Sequence, residues 1–290
     1  MGETSAIQWT EATWNPLVGC SRVSEGCRHC YAERTAYRLA AMGNKNYAAV
    51  VKETKPAWNG TIGFVPSALE LPLRWKKPRR IFVNSMSDLF HEKVQYEWID
   101  EIFAVMGQCP QHVFQVLTKR PERMQRYLAD FDTPLPNVWI GVSVEDQETA
   151  DERIPILLNS KAAVRWVSYE PALGLASFFG PDSPTWNRDG GLDWIVVGGE
   201  SGPDARPFDL AWARQTIAQC RAGGVPVFMK QLGARPWWDG IGPPPAEHVY
   251  LAPATKFNGQ VGWDLDCLRD RWGGTMEEWP VDLRVREYPR

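Results

Sequence analysis

Three cysteines lie close together near the start of the chain, in the run Gly19-Cys20-Ser21-Arg22-Val23-Ser24-Glu25-Gly26-Cys27-Arg28-His29-Cys30-Tyr31. The spacing is C-x6-C-x2-C. Three thiolates with no fourth at a matching distance can hold an iron–sulfur cluster and leave one iron open, since a [4Fe–4S] cluster takes four cysteines when the protein supplies every ligand. Gly19 and Gly26 allow the tight bends that would let the sulfurs converge. Two other readings stay open. One is a structural zinc site completed by His29 or a more distant side chain, although His29 sits between two of the cysteines and no second matched ligand pair is present. The other is three buried thiols with no metal.

A second group of residues able to do chemistry follows a set of short apolar runs. Residues 81–84 lead into Ser85, Ser87 and Asp88, and 113–117 lead into Lys119 and Arg120. Residues 138–142 are followed by Ser143 and Glu145, 164–168 by Glu170, 194–197 by Gly198-Gly199-Glu200, and 225–229 by Lys230-Gln231. Every one of the six runs ends close to a charged side chain. Loops are polar in general, which accounts for one or two of these but less well for all six.

The six runs are rich in β-branched and aromatic residues and mostly lack strict alternation, as strands buried on both faces do. Between several of them lie helical patterns, at 95–107, 121–131, 146–159 and 210–221, with Pro155 placed to kink or divide the third. A weaker seventh strand is expected at 7–10 or 13–14, and a helix at 32–42 after the cysteines. Strand, helix, strand in repetition implies parallel βαβ units. The fold class expected is therefore α/β, a partial TIM-type (β/α) barrel. It is read as one domain: a barrel core over 1–233 with an insertion at 43–80 after the first helix, and a Trp/Pro-rich extension over 234–290 packed on the barrel. The run Gly242-Pro243-Pro244-Pro245 belongs to that extension. In a parallel barrel the carboxyl ends of all strands share one face, where active sites are built.

Composition sets the bounds. The chain has 290 residues, 44% apolar and 23% charged, with a formal net charge of −3, so nothing pulls it generally toward nucleic acid or anionic membrane. The basic run Arg74-Trp75-Lys76-Lys77-Pro78-Arg79-Arg80 resembles a nucleic-acid patch. It enters the amino end of a strand, however, and is read as solvated surface opposite the chemistry. Cys109, Cys220 and Cys267 are isolated, the first two near expected helix ends where a small buried residue fits. No secretory signal and no membrane-length apolar stretch is read, and clustered free thiols suit a reducing cytoplasm.

Several blocks together carry a resemblance. They are Trp9-Thr10, Thr13-Trp14-Asn15-Pro16, the cysteine block through Tyr31-Ala32-Glu33, Asn84 to His91, Gly198 to Gly202, and the tail from Glu278 to Pro289. The chain resembles the three-cysteine-motif proteins of phages and bacteria, a family of unknown function. It is similar more broadly to radical S-adenosylmethionine (SAM) enzymes, which usually carry C-x3-C-x2-C after the first strand of a partial barrel. That likeness implies a [4Fe–4S] cluster on Cys20, Cys27 and Cys30, with SAM on its open iron. It implies Ser85, Ser87 or Asp88 at the methionyl ammonium, and Ser143, Glu145 and Glu170 near ribose and adenine. An Asp in the position of Asp88 equally caps a turn. The expected chemistry is a 5′-deoxyadenosyl radical acting on a polar small-molecule or nucleotide substrate gripped by Lys119, Arg120, Glu200 and Lys230. The expected partners are a reductase or flavodoxin-type electron donor, with nucleic acid a further candidate. The rival expectation is a non-catalytic nucleic-acid or protein binder stapled by zinc or an iron–sulfur cluster.

Overall fold

The computed structural model describes residues 5–178, 191–241, 255–264, 270 and 272–289. The run at 242–245 and Cys267 lie outside them. Seven strands form the main sheet: β1 (Ala12–Trp14), β2 (Arg80–Val83), β3 (Val113–Thr118), β4 (Val138–Val144), β5 (Val164–Tyr169), β6 (Trp194–Gly198) and β7 (Val227–Gln231). They stand side by side in chain order in one open, parallel sheet. With helices between the strands, this is the α/β arrangement of a partial TIM-type (β/α) barrel. β4, with the sequence VWIGVSV, is buried along its whole length, as its unbroken apolar character requires. The first strand falls at 12–14. The last begins two residues later than its apolar run, because Gly224 ends the preceding helix in a left-handed conformation (φ 67°) and the amide of Val225 still bonds back to Cys220.

Among the described residues the longer helices between these strands are α1 (Tyr31–Ala41), α2 (Tyr96–Gln108), α3 (Pro121–Ala129), α4 (Gln147–Leu158) and α5 (Leu210–Gly223). α2 buries Ile99, Ile102, Phe103, Val105 and Met106, one apolar stripe of a 3.6-residue period. α3 starts with Pro121 in its first turn, where a missing amide costs nothing. The carboxylate of Asp209 caps α5 by accepting from the amide of Ala211 at 2.9 Å. Cys109 and Cys220 are buried at the ends of α2 and α5. No helix among the described residues is long and apolar enough to cross a membrane.

The chain divides into two compact units, Met1–Val142 with Pro155–Arg165, and Ser143–Ile154 with Trp166–Arg290. α4 passes from one to the other at Pro155, the residue that interrupts its hydrogen-bond ladder. In the first unit the segment after α1 builds its own small core, where Tyr47, Val50, Trp58 and Val65 meet Val18 and Ala36, with Cys20 and Cys30 packed against it. Here Gly19 is indispensable: it has φ 91°, and a Cβ on it would lie 2.3 Å from the carbonyl of Thr61. The basic run ends at the start of β2, with the Arg79 guanidinium 5.2 Å over the ring of Trp75. In the second unit the strand Pro236–Trp238 pairs in parallel with Phe208–Asp209 and antiparallel with Gln260–Asp264. The chain end returns along the free edge of β7, where Phe228 bridges to Arg286.

Candidate functional site

In the first unit the residues after β2 and β3 fold into one ionic network. The Asp88 carboxylate accepts four bonds. Oδ1 takes the Phe90 amide at 2.9 Å and the Thr118 hydroxyl at 2.7 Å, and Oδ2 takes the Lys119 amide at 3.2 Å and Arg120 Nη1 at 2.9 Å. Arg120 also donates to Glu92 at 3.0 Å, to the Ser21 hydroxyl at 2.8 Å and to the Ser21 carbonyl at 3.2 Å. Burial works against its charge, but Asp88, Cys20 and Glu92 more than offset it, so its pKa is raised. Ser85 donates to Asn15 and Ser87 to the carbonyl of Leu17, each at 3.1 Å. These polar groups are engaged with one another and tie the cysteine loop to the strand ends.

His91 looks at first like a base for Ser21, since Nε2 and Oγ are 2.8 Å apart. The amide of Lys93, however, donates to His91 Nδ1 at 3.1 Å, which leaves the ring proton on Nε2. An imidazole in that tautomer cannot take the serine proton. Burial, and then Arg120, lower the His91 pKa to about 4, so the ring is neutral at physiological pH.

The three cysteines do not make a metal site. Among the described residues there is no group of three or more His, Cys, Asp and Glu side chains arranged to hold a metal ion. Cys20 lies 3.9 Å from Arg120 Nη1 and Cys27 lies 4.0 Å from the Ser24 hydroxyl, while Cys30 stands at the start of α1. Burial above all, with Asp88 next, pushes the Cys20 thiol up to about 12, and burial also raises that of Cys30. The expected [4Fe–4S] cluster on Cys20, Cys27 and Cys30, the SAM it would hold and the radical chemistry that follows are therefore corrected. So are the zinc alternative and the metal-stapled binder.

The second unit holds the remaining candidates. Glu145 is almost fully buried and bonds Arg153 Nη1 at 3.1 and 3.3 Å, while the carbonyl of Ser143 accepts from the same nitrogen at 2.8 Å. Glu200 is locked by Arg206, which donates its amide at 2.9 Å, Nε at 3.0 Å and Nη2 at 2.7 Å.

Glu170 and Lys230 come together directly. Lys230 Nζ pairs with Glu170 Oε1, and both side chains keep 18% of their surface exposed. Gln231 joins them. Its Nε2 donates to the same Glu170 oxygen at 3.1 Å and to the carbonyl of Gly199 at 2.6 Å. Two acceptors fix the nitrogen of that amide, so Oε1 faces the other way, and it is buried without a hydrogen-bond partner among the described residues. Gly198 leaves the space these groups use, since a Cβ on it would stand 3.4 Å from both Gln231 Nε2 and Glu170 Cδ. A carboxylate and an ammonium at the carboxyl ends of β5 and β7, on either side of β6, can take a proton from a bound group and return one. Sequence reasoning missed Gln231 because it follows Lys230 directly, and neighbouring strand residues ordinarily face opposite ways. Arg153 and Arg206, which occupy Glu145 and Glu200, gave no spacing signal to find them by.

An open parallel α/β sheet with ionic groups after its strands defines an architecture, and the family is settled by the sequence. The chain belongs to a family of proteins of unknown function, DUF5131, whose model matches residues 4–252. That replaces the likeness to three-cysteine-motif proteins and to radical SAM enzymes drawn from the motifs. No curated protein and no solved structure matches the chain.

Proposed function

We propose that the protein binds a small neutral polar molecule at the carboxyl ends of β5, β6 and β7, with Glu170, Lys230 and Gln231 as the recognition group. The single observation that carries this reading is the buried Oε1 of Gln231, unpartnered among the described residues, beside an ion pair that keeps some contact with water. A buried acceptor left without a donor costs roughly 1–3 kcal/mol, a cost that a ligand hydroxyl or amide N–H donating to it would remove. The pair's own chemistry supports neutrality. Glu170 and Lys230 cancel, so a cationic ligand meets the ammonium and an anionic one the carboxylate. A neutral group that donates to Gln231 and Glu170 and accepts from Lys230 satisfies all three. Proton exchange with such a group is the reaction class this arrangement supports. Free thiols at all five described cysteines favour a reducing, cytoplasmic setting.

The test is ligand-observed NMR with four fragments on one ring: cis-cyclohexane-1,2-diol, cyclohexanecarboxamide, cyclohexylammonium and cyclohexanecarboxylate. The neutral pair is expected to give saturation transfer with the native chain and to lose it by about tenfold in affinity in Gln231→Leu and in Lys230→Met, the effect of one hydrogen bond to a buried or charged group. Binding that is indifferent to both substitutions, or no binding of any fragment, refutes the reading.

A further inference from the structure

Lys230 and Gln231 reach one carboxylate oxygen although they are consecutive residues of a strand. In a regular strand successive side chains point to opposite faces. The register explains the exception. Val227, Phe228 and Met229 of β7 stand opposite Ile195, Val196 and Val197 of β6, and the next pair is Gln231 with Gly198, so that Lys230 is skipped. Lys230 is the extra residue of a β-bulge, the device that re-aims a side chain at the end of a strand. Two carbonyls at the bulge, those of Met229 and Lys230, are taken by one side chain. Arg286 donates Nε to the carbonyl of Met229 at 3.3 Å and Nη2 to that of Lys230 at 3.2 Å. Its guanidinium lies 5.3 Å from the Phe228 ring and 5.4 Å from that of Trp279, and its segment bonds along β7 on either side through Val285 and Glu287.

We infer that Arg286 is a positioning residue: by holding the two carbonyls of the bulge, the chain's C-terminal tail keeps Lys230 and Gln231 turned onto Glu170. The inference rests on the reading of Glu170, Lys230 and Gln231 as a binding group. A residue that only fastened the tail would contribute stability and nothing to the aim of Lys230. Arg suits the task because its planar fork reaches two oxygens at fixed spacing, which a lysine ammonium does not.

The experiment is competitive acetylation of the 290-residue chain with acetic anhydride, reading Lys230 by mass spectrometry against the other lysines. Glu170→Gln sets the rate with the pair broken. Tyr288→Leu loosens the tail by removing the ring stacked on Trp194 at 5.5 Å, without touching the bulge carbonyls. Arg286→Met is expected to raise Lys230 labelling roughly threefold or more, to the level of Glu170→Gln, while Tyr288→Leu leaves it near the native rate. Arg286→Lys is expected to fall between, and it carries the test if the Met variant does not fold. Unchanged labelling in the Arg286 variants, or an equal rise in Tyr288→Leu, overturns the inference. If Glu170→Gln itself leaves Lys230 unchanged, the pair is absent in solution, and both this inference and the binding reading fall. A chain that labels as expected but binds none of the neutral fragments keeps Arg286 as a positioning residue and loses only the proposed ligand.

Discussion

The ionic groups after β2 and β3 and those after β5 to β7 are made from the same residue types, yet they differ in what they leave undone. Around Asp88 and Arg120 the charged groups meet partners: four bonds arrive at the carboxylate, and the guanidinium spreads over Asp88, Glu92 and Ser21, while the Asn84 side-chain nitrogen after β2 is buried without a partner among the described residues. Around Glu170 and Lys230 a buried amide oxygen has no partner among the described residues and the charged pair keeps contact with water. A closed network specifies a structure; an open one has capacity for a ligand. Charge at strand ends is thus a poor guide to function until the hydrogen bonds are counted.

The comparison breaks most sharply at Arg120. Arg120→Ala leaves the Asp88 carboxylate, 8% exposed, with three neutral hydrogen bonds and without its paired guanidinium. The expected loss is about 3–5 kcal/mol in denaturant unfolding, the usual cost of removing one partner of a buried pair. A loss under about 1 kcal/mol would mean that the network is as open as the Glu170 group.

The second effect is pH-dependent. His91 has a folded-state pKa of about 4, below its ordinary 6.5, because burial and Arg120 disfavour its charge. The unfolded chain binds the proton more readily, so stability rises with pH across this window and is lost as pH falls from 6.5 toward 4. The contribution is of order 3 kcal/mol or less, from a shift of about two pKa units. His91→Asn keeps an acceptor for the Lys93 amide and cannot be protonated. Its unfolding free energy is expected to be flatter than that of the native chain between pH 4 and 6.5, and a parallel profile would assign the acid sensitivity to other groups.

How far the sequence carried the argument differs between strands and sites. The six apolar runs were legible because β4 and its neighbours are buried on both faces, and burial on both faces writes itself as unbroken hydrophobicity. The charged residues after them were legible too. What they bond was not. Arg153 meets Glu145 across a helical turn and a strand end, and Arg206 meets Glu200 across a loop, pairings that depend on backbone path and carry no fixed spacing. The cysteines misled for a related reason. C-x6-C-x2-C states that three sulfurs are near in the chain, but Cys20 is turned toward Arg120 and packed with Cys30 against the Val50 core, and nearness in sequence did not become a ligand set.

A smaller perturbation checks that the second unit's stability lies in its local structure rather than in the Glu170 pair. Asp209→Ala removes the cap of α5 and is expected to cost about 1 kcal/mol, read from the midpoint of urea unfolding. Asp209→Asn or Asp209→Ser, which cap comparably, should restore most of it. If neither does, the loss comes from the carboxylate's charge and not from the bond to Ala211.

The smallest expected change in stability is the most informative. Lys230→Met removes the ammonium but keeps a flexible apolar stem over the same surface. Glu170 is left with the Gln231 amide on Oε1 and with an exposed side, 18% against 8% for Asp88, through which water can solvate its charge. The expected cost is below about 1 kcal/mol, the range of partly exposed ion pairs. Binding of the neutral fragments should nonetheless fall, because the group that donates to the ligand is gone. Small loss of stability with large loss of binding is the signature of a pair maintained for a ligand. A loss of several kcal/mol instead would place Glu170 and Lys230 with Asp88 and Arg120, as one more closed network holding strand ends together, and would leave the unpartnered oxygen of Gln231 to a buried water.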